Sequence, residues 1–207
     1  MKLKQMLSQI PSYSEELGLD LRKPGDRFKW FLASVLFAKR ISAEIAKKTY
    51  RVFEKRGLTT PDAILRTGWD GLVDALDAGG YVRYDFSTAT NLLEATKELK
   101  RRYGDLEQLH QGAKTPRDLE SRLQKLRGIG PVAANIFLRE LRGIWSKARP
   151  KPSKLAREVG GKLGLDEVEQ FESALVRINL EYCKRRKCAI CPVEEYCREK
   201  RNLTTPF

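Results

Sequence analysis

No stretch of the 207 residues approaches the about 18 consecutive apolar positions that a membrane-spanning helix requires, which argues against an integral helical membrane protein. The start of the chain, Met1 to Ile10, is basic but lacks both an apolar core and a small-residue cleavage pattern. It does not read as a secretory signal, and an intracellular setting (cytoplasm or nucleoid) is expected. Histidine is almost missing. The only one, His110, has no cysteine or acidic constellation nearby in the sequence and is expected to be a surface residue in a linker. Cysteine is scarce and confined: all four fall between 183 and 197, which argues against scattered disulfide staples. Neither a convincing strand pattern nor an internal repeat is present. Finally, there is no Asp or Glu between Leu141 and Arg157, a gap that matters below.

The chain has positive charge in excess. It carries 40 Lys and Arg against 27 Asp and Glu, a formal net charge of +13. That is more than solubility needs, and it favours a polyanionic partner, with nucleic acid ahead of membrane headgroups or acidic proteins. Hydrophobic residues at 41% and charged residues at 32% describe a soluble globular chain, long enough for one or two compact domains.

The apolar periodicity is helical throughout, and an all-α fold of many short helices is expected. Lys23-Pro24-Gly25-Asp26 breaks an amphipathic opening. Phe28, Phe31, Leu32, Val35 and Leu36 then predict a buried central helix, widened by Trp30, Phe37 and Ala38. Ser42 is a cap for a helix ending at Gly57, and Thr60-Pro61-Asp62 opens a short helix through Leu65. Another short helix is expected from Trp69 to Leu76. Gly79 to Asp85 is a glycine-led loop dense in aromatics, followed by a long helix from about Ser87 to Tyr103. Thr115-Pro116 starts a helix packing through Leu119, Leu123 and Leu126. Gly143 to Pro152 interrupts the pattern with Lys, Arg and Pro. Ser153 caps a helix to about Leu163, and a last one is expected from about Asp166 to Leu180.

The chain is organised around Leu126 to Leu141, L-R-G-I-G-P-V-A-A-N-I-F-L-R-E-L. An apolar helix runs into Gly128, where a left-handed residue suits a helix C-terminus. A second helix restarts at Pro131, the position where proline's missing N–H is no loss. Ile129, between the glycines, can turn inward and pin the two helices. The backbone N–H groups near Gly128 and Gly130, with the positive end of the second helix, form a small anion seat. This is a helix-hairpin-helix pattern, and its usual anion is a DNA phosphate. Arg127 lies beside it, and Lys147, Arg149, Lys151 and Lys154 follow as further candidates for phosphate contact.

Cys183, Cys188, Cys191 and Cys197 have the spacing C-x4-C-x2-C-x5-C. Four thiolates so close together suit either a structural zinc site or an iron–sulfur cluster, and the spacing alone leaves the two open. Lys184 to Lys187 fill the first interval, where they offset cluster charge and could meet phosphate.

The glycine hairpin followed by a C-terminal four-cysteine loop resembles the endonuclease III branch of the helix-hairpin-helix DNA glycosylase superfamily, from about Phe28 to Cys197. The resemblance implies a two-lobed helical protein. One lobe would be 27–141; the other would join 1–26 to 142–207 and carry a [4Fe–4S] cluster on the four cysteines, as a structural and DNA-positioning element. The implied partner is double-stranded DNA carrying a damaged, mismatched or abasic site; the size of the chain, that of a single module, leads us to expect a monomer on it. Family members commonly space the cysteines C-x6-C-x2-C-x5-C, so the first interval here is two residues shorter. By position, Arg40 matches a residue that fills the gap left by an extruded base. Tyr81 or Val82 matches an apolar wedge.

The catalytic positions depart from the family. The lysine nucleophile of its bifunctional members corresponds to Val132, and the aspartate that supports the oxocarbenium-like sugar corresponds to Pro152. Valine forms no Schiff base. If chemistry persists, the candidates are Asp85 as acid, Tyr84 as hydrogen-bond donor to a base, and Lys151 or Lys154 as a displaced amine. The expected function is excision of an altered base, or cleavage at abasic sites, by atypical residues. The alternatives are a non-catalytic damage- or structure-binding protein on the same scaffold and, behind it, a redox-responsive DNA-binding regulator.

Overall fold

The computed structural model describes residues 2–199, and among these every regular element is helical. In chain order the α-helices are α1 (Lys2–Ser8), α2 (Tyr13–Glu16), α3 (Pro24–Phe37), α4 (Ala43–Lys55), α5 (Pro61–Ala78), α6 (Asp85–Tyr103), α7 (Leu106–Gly112), α8 (Pro116–Gln124), α9 (Pro131–Arg139), α10 (Lys154–Leu163) and α11 (Glu172–Ile178). They form two compact units, one of residues 17–150 and one combining 1–16 with 151–207; of the latter, Met1 and 200–207 lie outside the described residues. Residues 17–26 and 142–150 belong to the larger unit.

In the larger unit, α3 is the central helix the apolar spacing predicts. Trp30, Phe31, Leu32, Val35 and Leu36 are all at most 1% exposed. It begins inside the expected breaker, because Pro24 occupies the first turn, where proline costs nothing. α3 packs against α4 and α9, and the Trp30 indole N–H donates to the Phe137 carbonyl at 3.2 Å. α5 and α6 form the most extensive helix pair of the unit. The predicted caps Ser42, Thr60 and Ser153 are in place, and Thr115 caps the helix it was expected to start: each accepts a backbone N–H from the first turn of α4, α5, α10 and α8 respectively.

The two helices expected before Leu65 and after Trp69 are both present, as the halves of α5 on either side of a break at Gly68. Two expectations are corrected. The region around His110 is not a linker but α7, capped by Asp105. The final helix does not start at Asp166: a 3-10 turn at Glu169–Phe171 leads into α11, which continues as a π turn over Asn179–Cys183.

The smaller unit buries Leu7 of α1, Ala156, Val159 and Leu163 of α10, Leu175, Val176 and Ile178 of α11, and Val193 of the cysteine loop. Arg177 ties its two chain segments together. Its guanidinium bonds Glu16 and Glu181 and donates to the Pro11 carbonyl, lying 5.0 Å from the Tyr13 ring centroid.

Candidate nucleic-acid interface and cysteine loop

The hairpin between α8 and α9 has the geometry its residues dictate. Gly128 has φ +77°, the left-handed conformation that a Cβ disfavours. The Ile129 N–H bonds the Leu126 carbonyl, and Ile129 is buried at 4% exposure, pinning the turn to the core. Gly130 is the N-cap of α9 and, having no side chain, leaves the first-turn N–H groups without a side-chain cap. Arg127, Gly128, Gly130, Pro131 and Val132 are all exposed. The turn presents backbone donors, a helix N-terminus and a guanidinium to solvent, the chemistry that an anion seat requires.

Two residues of α6 hold this turn, and neither was found from the sequence. The Glu98 carboxylate accepts the Arg127 backbone N–H at 2.9 Å, and the Asn91 side chain packs directly on the Gly128 backbone. No local sequence signal marks either, because both act across a helix–helix contact.

The aromatic loop after α5 separates its two wedge candidates. α5 closes with the Tyr81 N–H reaching back to the Leu76 carbonyl and the Gly80 N–H to the Asp77 carbonyl, a pattern that turns an apolar residue after the glycine inward. Tyr81 is that residue. It is fully buried, its hydroxyl donates to the Leu36 carbonyl at 2.7 Å, and burial pushes its pKa up. Val82, by contrast, is 63% exposed. Arg40 is exposed as well.

Asp85 is 9% exposed and its carboxylate accepts the Phe86 N–H at 2.6 Å; the N-cap of α6 is Tyr84, which makes no side-chain cap. Asp85 is joined by Asp77, a residue the sequence did not single out. The Asp77 carboxyl is held above the ordinary aspartate range by desolvation and by its hydrogen-bonded, negatively charged neighbour Asp85. Tyr84 is half-buried, with the Arg83 guanidinium 5.4 Å from its ring centroid.

The segment 142–150 is anchored rather than loose. Trp145 is 3% exposed, stacks on His110 with centroids 4.6 Å apart and planes within 2°, and donates to Glu107, which also takes Arg27 at 2.6 Å. His110 is therefore not the surface residue expected. Its Nε2 is buried without a hydrogen-bond partner, and burial, then the nearby Lys147 charge, lower its pKa. The Lys147 ammonium donates to the His110 and Gln111 carbonyls, both at 3.2 Å, so it caps α7; Arg149 is exposed. In the smaller unit Lys151 and Lys154 are exposed, and Lys154 pairs with Glu158 at 3.8 Å. Val132 is 61% exposed at the start of α9, and Pro152 is half-buried just before the Ser153 cap.

The four cysteines form no disulfide. Cys183, at the end of the π turn, and Cys191 and Cys197 are half-buried against the apolar residues of α10 and α11, while Cys188 is exposed. Burial raises the Cys183 thiol pKa, with Lys162 opposing it and Cys191, Cys197 and Cys188 each raising it further. The thiols are thus within electrostatic reach of one another, though among the described residues no three His, Cys, Asp or Glu side chains close on one metal position. The loop is tied back to α10 by Lys162–Glu199 at 2.9 Å and by Arg198 packed over Gly164. Lys184 to Lys187 are exposed. As a donor set, four thiols on a short loop fit an iron–sulfur cluster or zinc, and nothing harder.

No family model matches the sequence. A protein of Rickettsia conorii named endonuclease III aligns with 28% identity over 195 residues, spanning 85% of this chain and 86% of its own length. The chain is similar to an endonuclease III. The alignment covers most of both chains, so the likeness is not confined to the hairpin. Among the described residues, no helix is long and apolar enough to cross a membrane.

Proposed function

We propose that this chain is a DNA repair protein of the endonuclease III-like family that binds duplex DNA and excises a damaged or mismatched base, cleaves at abasic sites, or both. The observation that carries the reading is the α8–α9 hairpin: a left-handed Gly128, a buried Ile129 and an uncapped α9 N-terminus beside exposed Arg127. That geometry suits a phosphate, the net charge of +13 suits a polyanion, and the similarity to an endonuclease III suits both. Arg127, Gly128, Ile129 and Gly130 hold the backbone, Arg149 adds charge, and Val82 and Arg40 are the residues offered to the base stack. Lys147 acts through α7, and Tyr81 anchors the wedge loop from the core.

In base excision the N-glycosidic bond breaks, the base leaves with a proton, and water adds at the sugar carbon after positive charge has developed there. A carboxylate stabilises that charge and a weak acid assists departure. The Asp77–Asp85 pair supplies a carboxyl, Asp77, that holds its proton more readily than usual, with Asp85 hydrogen-bonded to it and Tyr84 next to Asp85 in the chain. Cleavage at an abasic site needs an amine, and Lys151 and Lys154 are the candidates in place of Val132. The four cysteines would hold a [4Fe–4S] cluster, with zinc as the competing occupant, and the cluster would stiffen the loop that presents Lys184 to Lys187.

The absence of both family catalytic side chains, at Val132 and Pro152, favours one further reading: a binding protein that recognises damage without processing it. A panel of labelled duplexes separates the two. It would contain uracil, hypoxanthine, oxidised and alkylated bases and an abasic site, each assayed with and without alkali and with borohydride. Release of a base without trapping assigns a monofunctional glycosylase and directs mutation to Asp85, Asp77 and Tyr84. A trapped adduct assigns a displaced amine. Silence across the panel with tight binding to one lesion assigns the binding protein, and silence with no duplex binding rejects the proposal.

A further inference from the structure

α5 breaks at Gly68, whose φ of +70° and ψ of −173° are open to glycine and costly for other residues. The break delivers Trp69 onto α6. There its indole N–H donates to the Thr90 hydroxyl at 2.9 Å, and that hydroxyl donates to the Phe86 carbonyl at 2.9 Å. The two rings pack on each other, centroids 5.5 Å apart and planes tilted by 31°. Both face water: Trp69 is 38% exposed and Phe86 60%. The chain thus fixes two aromatic rings at the surface with hydrogen bonds, rather than burying them as it buries Trp30 and Trp145.

We infer that Trp69 and Phe86 form a stacking platform for an unpaired nucleobase of the bound DNA; this rests on the DNA reading above. Three observations select that occupant. Phe86 follows the exposed Val82 and the exposed cation Arg83 by four and three residues in a chain of net charge +13, which favours a polyanionic ligand over an apolar one. Phe86 and Asn91, the residue against Gly128, are five positions apart on α6, roughly 8 Å along its axis. One rigid helix therefore carries both Phe86 and the side chain that packs on the phosphate seat. The rings also offer faces without hydrogen-bonding groups, and a π face accepts any base, so the platform contributes affinity for unstacked bases with little sequence choice.

The test uses the full chain with two duplexes of one sequence, one intact and one with an unpaired base. Phe86→Ala should weaken binding to the second by roughly tenfold and leave the intact duplex within about twofold. Trp69→Phe should keep the affinity. Because Trp30 and Trp145 are buried, fluorescence quenching on DNA binding should come from Trp69 and vanish in Trp69→Phe. Equal loss on both duplexes, or no loss on either, overturns the platform while the DNA reading stands. Failure of the parent chain to bind any duplex overturns both. A dimer in sedimentation that Phe86→Ala dissolves would assign the rings to a second copy instead and also overturn the proposal.

Discussion

The side chain of Asn91, on α6, occupies the space into which a Cβ on Gly128 would project. Gly128 is therefore fixed twice, by its left-handed backbone and by its neighbour. Gly128→Ala should cost about 1–2 kcal/mol from the backbone alone, and more from the clash. Adding Asn91→Ala should recover the clash component and not the backbone component. Urea denaturation of the single and double variants separates the two contributions.

Gly130 behaves differently. A Cβ there meets nothing within 4 Å and its φ is −84°, so a side chain is tolerated. Gly130→Asp places a good N-cap at the positive end of α9, and stability should hold or rise by roughly a few tenths of a kcal/mol. The same carboxylate repels phosphate. Duplex affinity should fall on the order of tenfold or more. Opposite movements of thermal midpoint and affinity in one variant are the expected signature; unchanged affinity would remove the hairpin from the interface.

His110 should give the fold an acid-sensitive step. Its folded pKa lies below the 6.5 of the unfolded chain, because burial and then Lys147 disfavour the imidazolium. The stability this contributes is complete above pH 6.5 and is lost as pH falls from there toward the lowered folded value. His110→Phe keeps a ring against Trp145 and removes the titration. Its denaturation midpoint should drop less than the parent's between about pH 7.5 and about pH 5.5. Since His110 is the sole histidine, one imidazole resonance should report the lowered pKa directly.

The cysteine loop predicts a metal stoichiometry. Elemental analysis of anaerobically purified protein should find about four irons per chain and little zinc. Cys183→Ser should lose the metal and lower the stability of the smaller unit, because that thiol packs against its core. About one zinc per chain would assign the structural-zinc alternative.

Much of the fold was legible because it is encoded locally. The spacing of Phe28 to Leu36 marked α3, and Ser42, Thr60, Thr115 and Ser153 marked four helix starts. The hairpin was legible too, since the left-handed turn strongly favours glycine at Gly128 and the first helical position tolerates proline at Pro131. What escaped was set across elements. Asn91 on Gly128, Glu98 on Arg127, Asp77 beside Asp85 and His110 on Trp145 join residues whose pairing no periodicity reveals. By position Tyr81 and Val82 were equally candidates for the wedge, yet the α5 closure turns Tyr81 into the core and leaves Val82 outside. The sequence carried that signal as an apolar residue following Gly80.

The most direct measurement is the affinity of the parent chain for an undamaged duplex across a salt series. Phosphate binding by the hairpin and its neighbouring cations predicts a log–log plot of affinity against salt that falls steeply, with a slope of several units from released counterions. An affinity that stays flat over the same range would contradict a DNA-backbone interface on this chain.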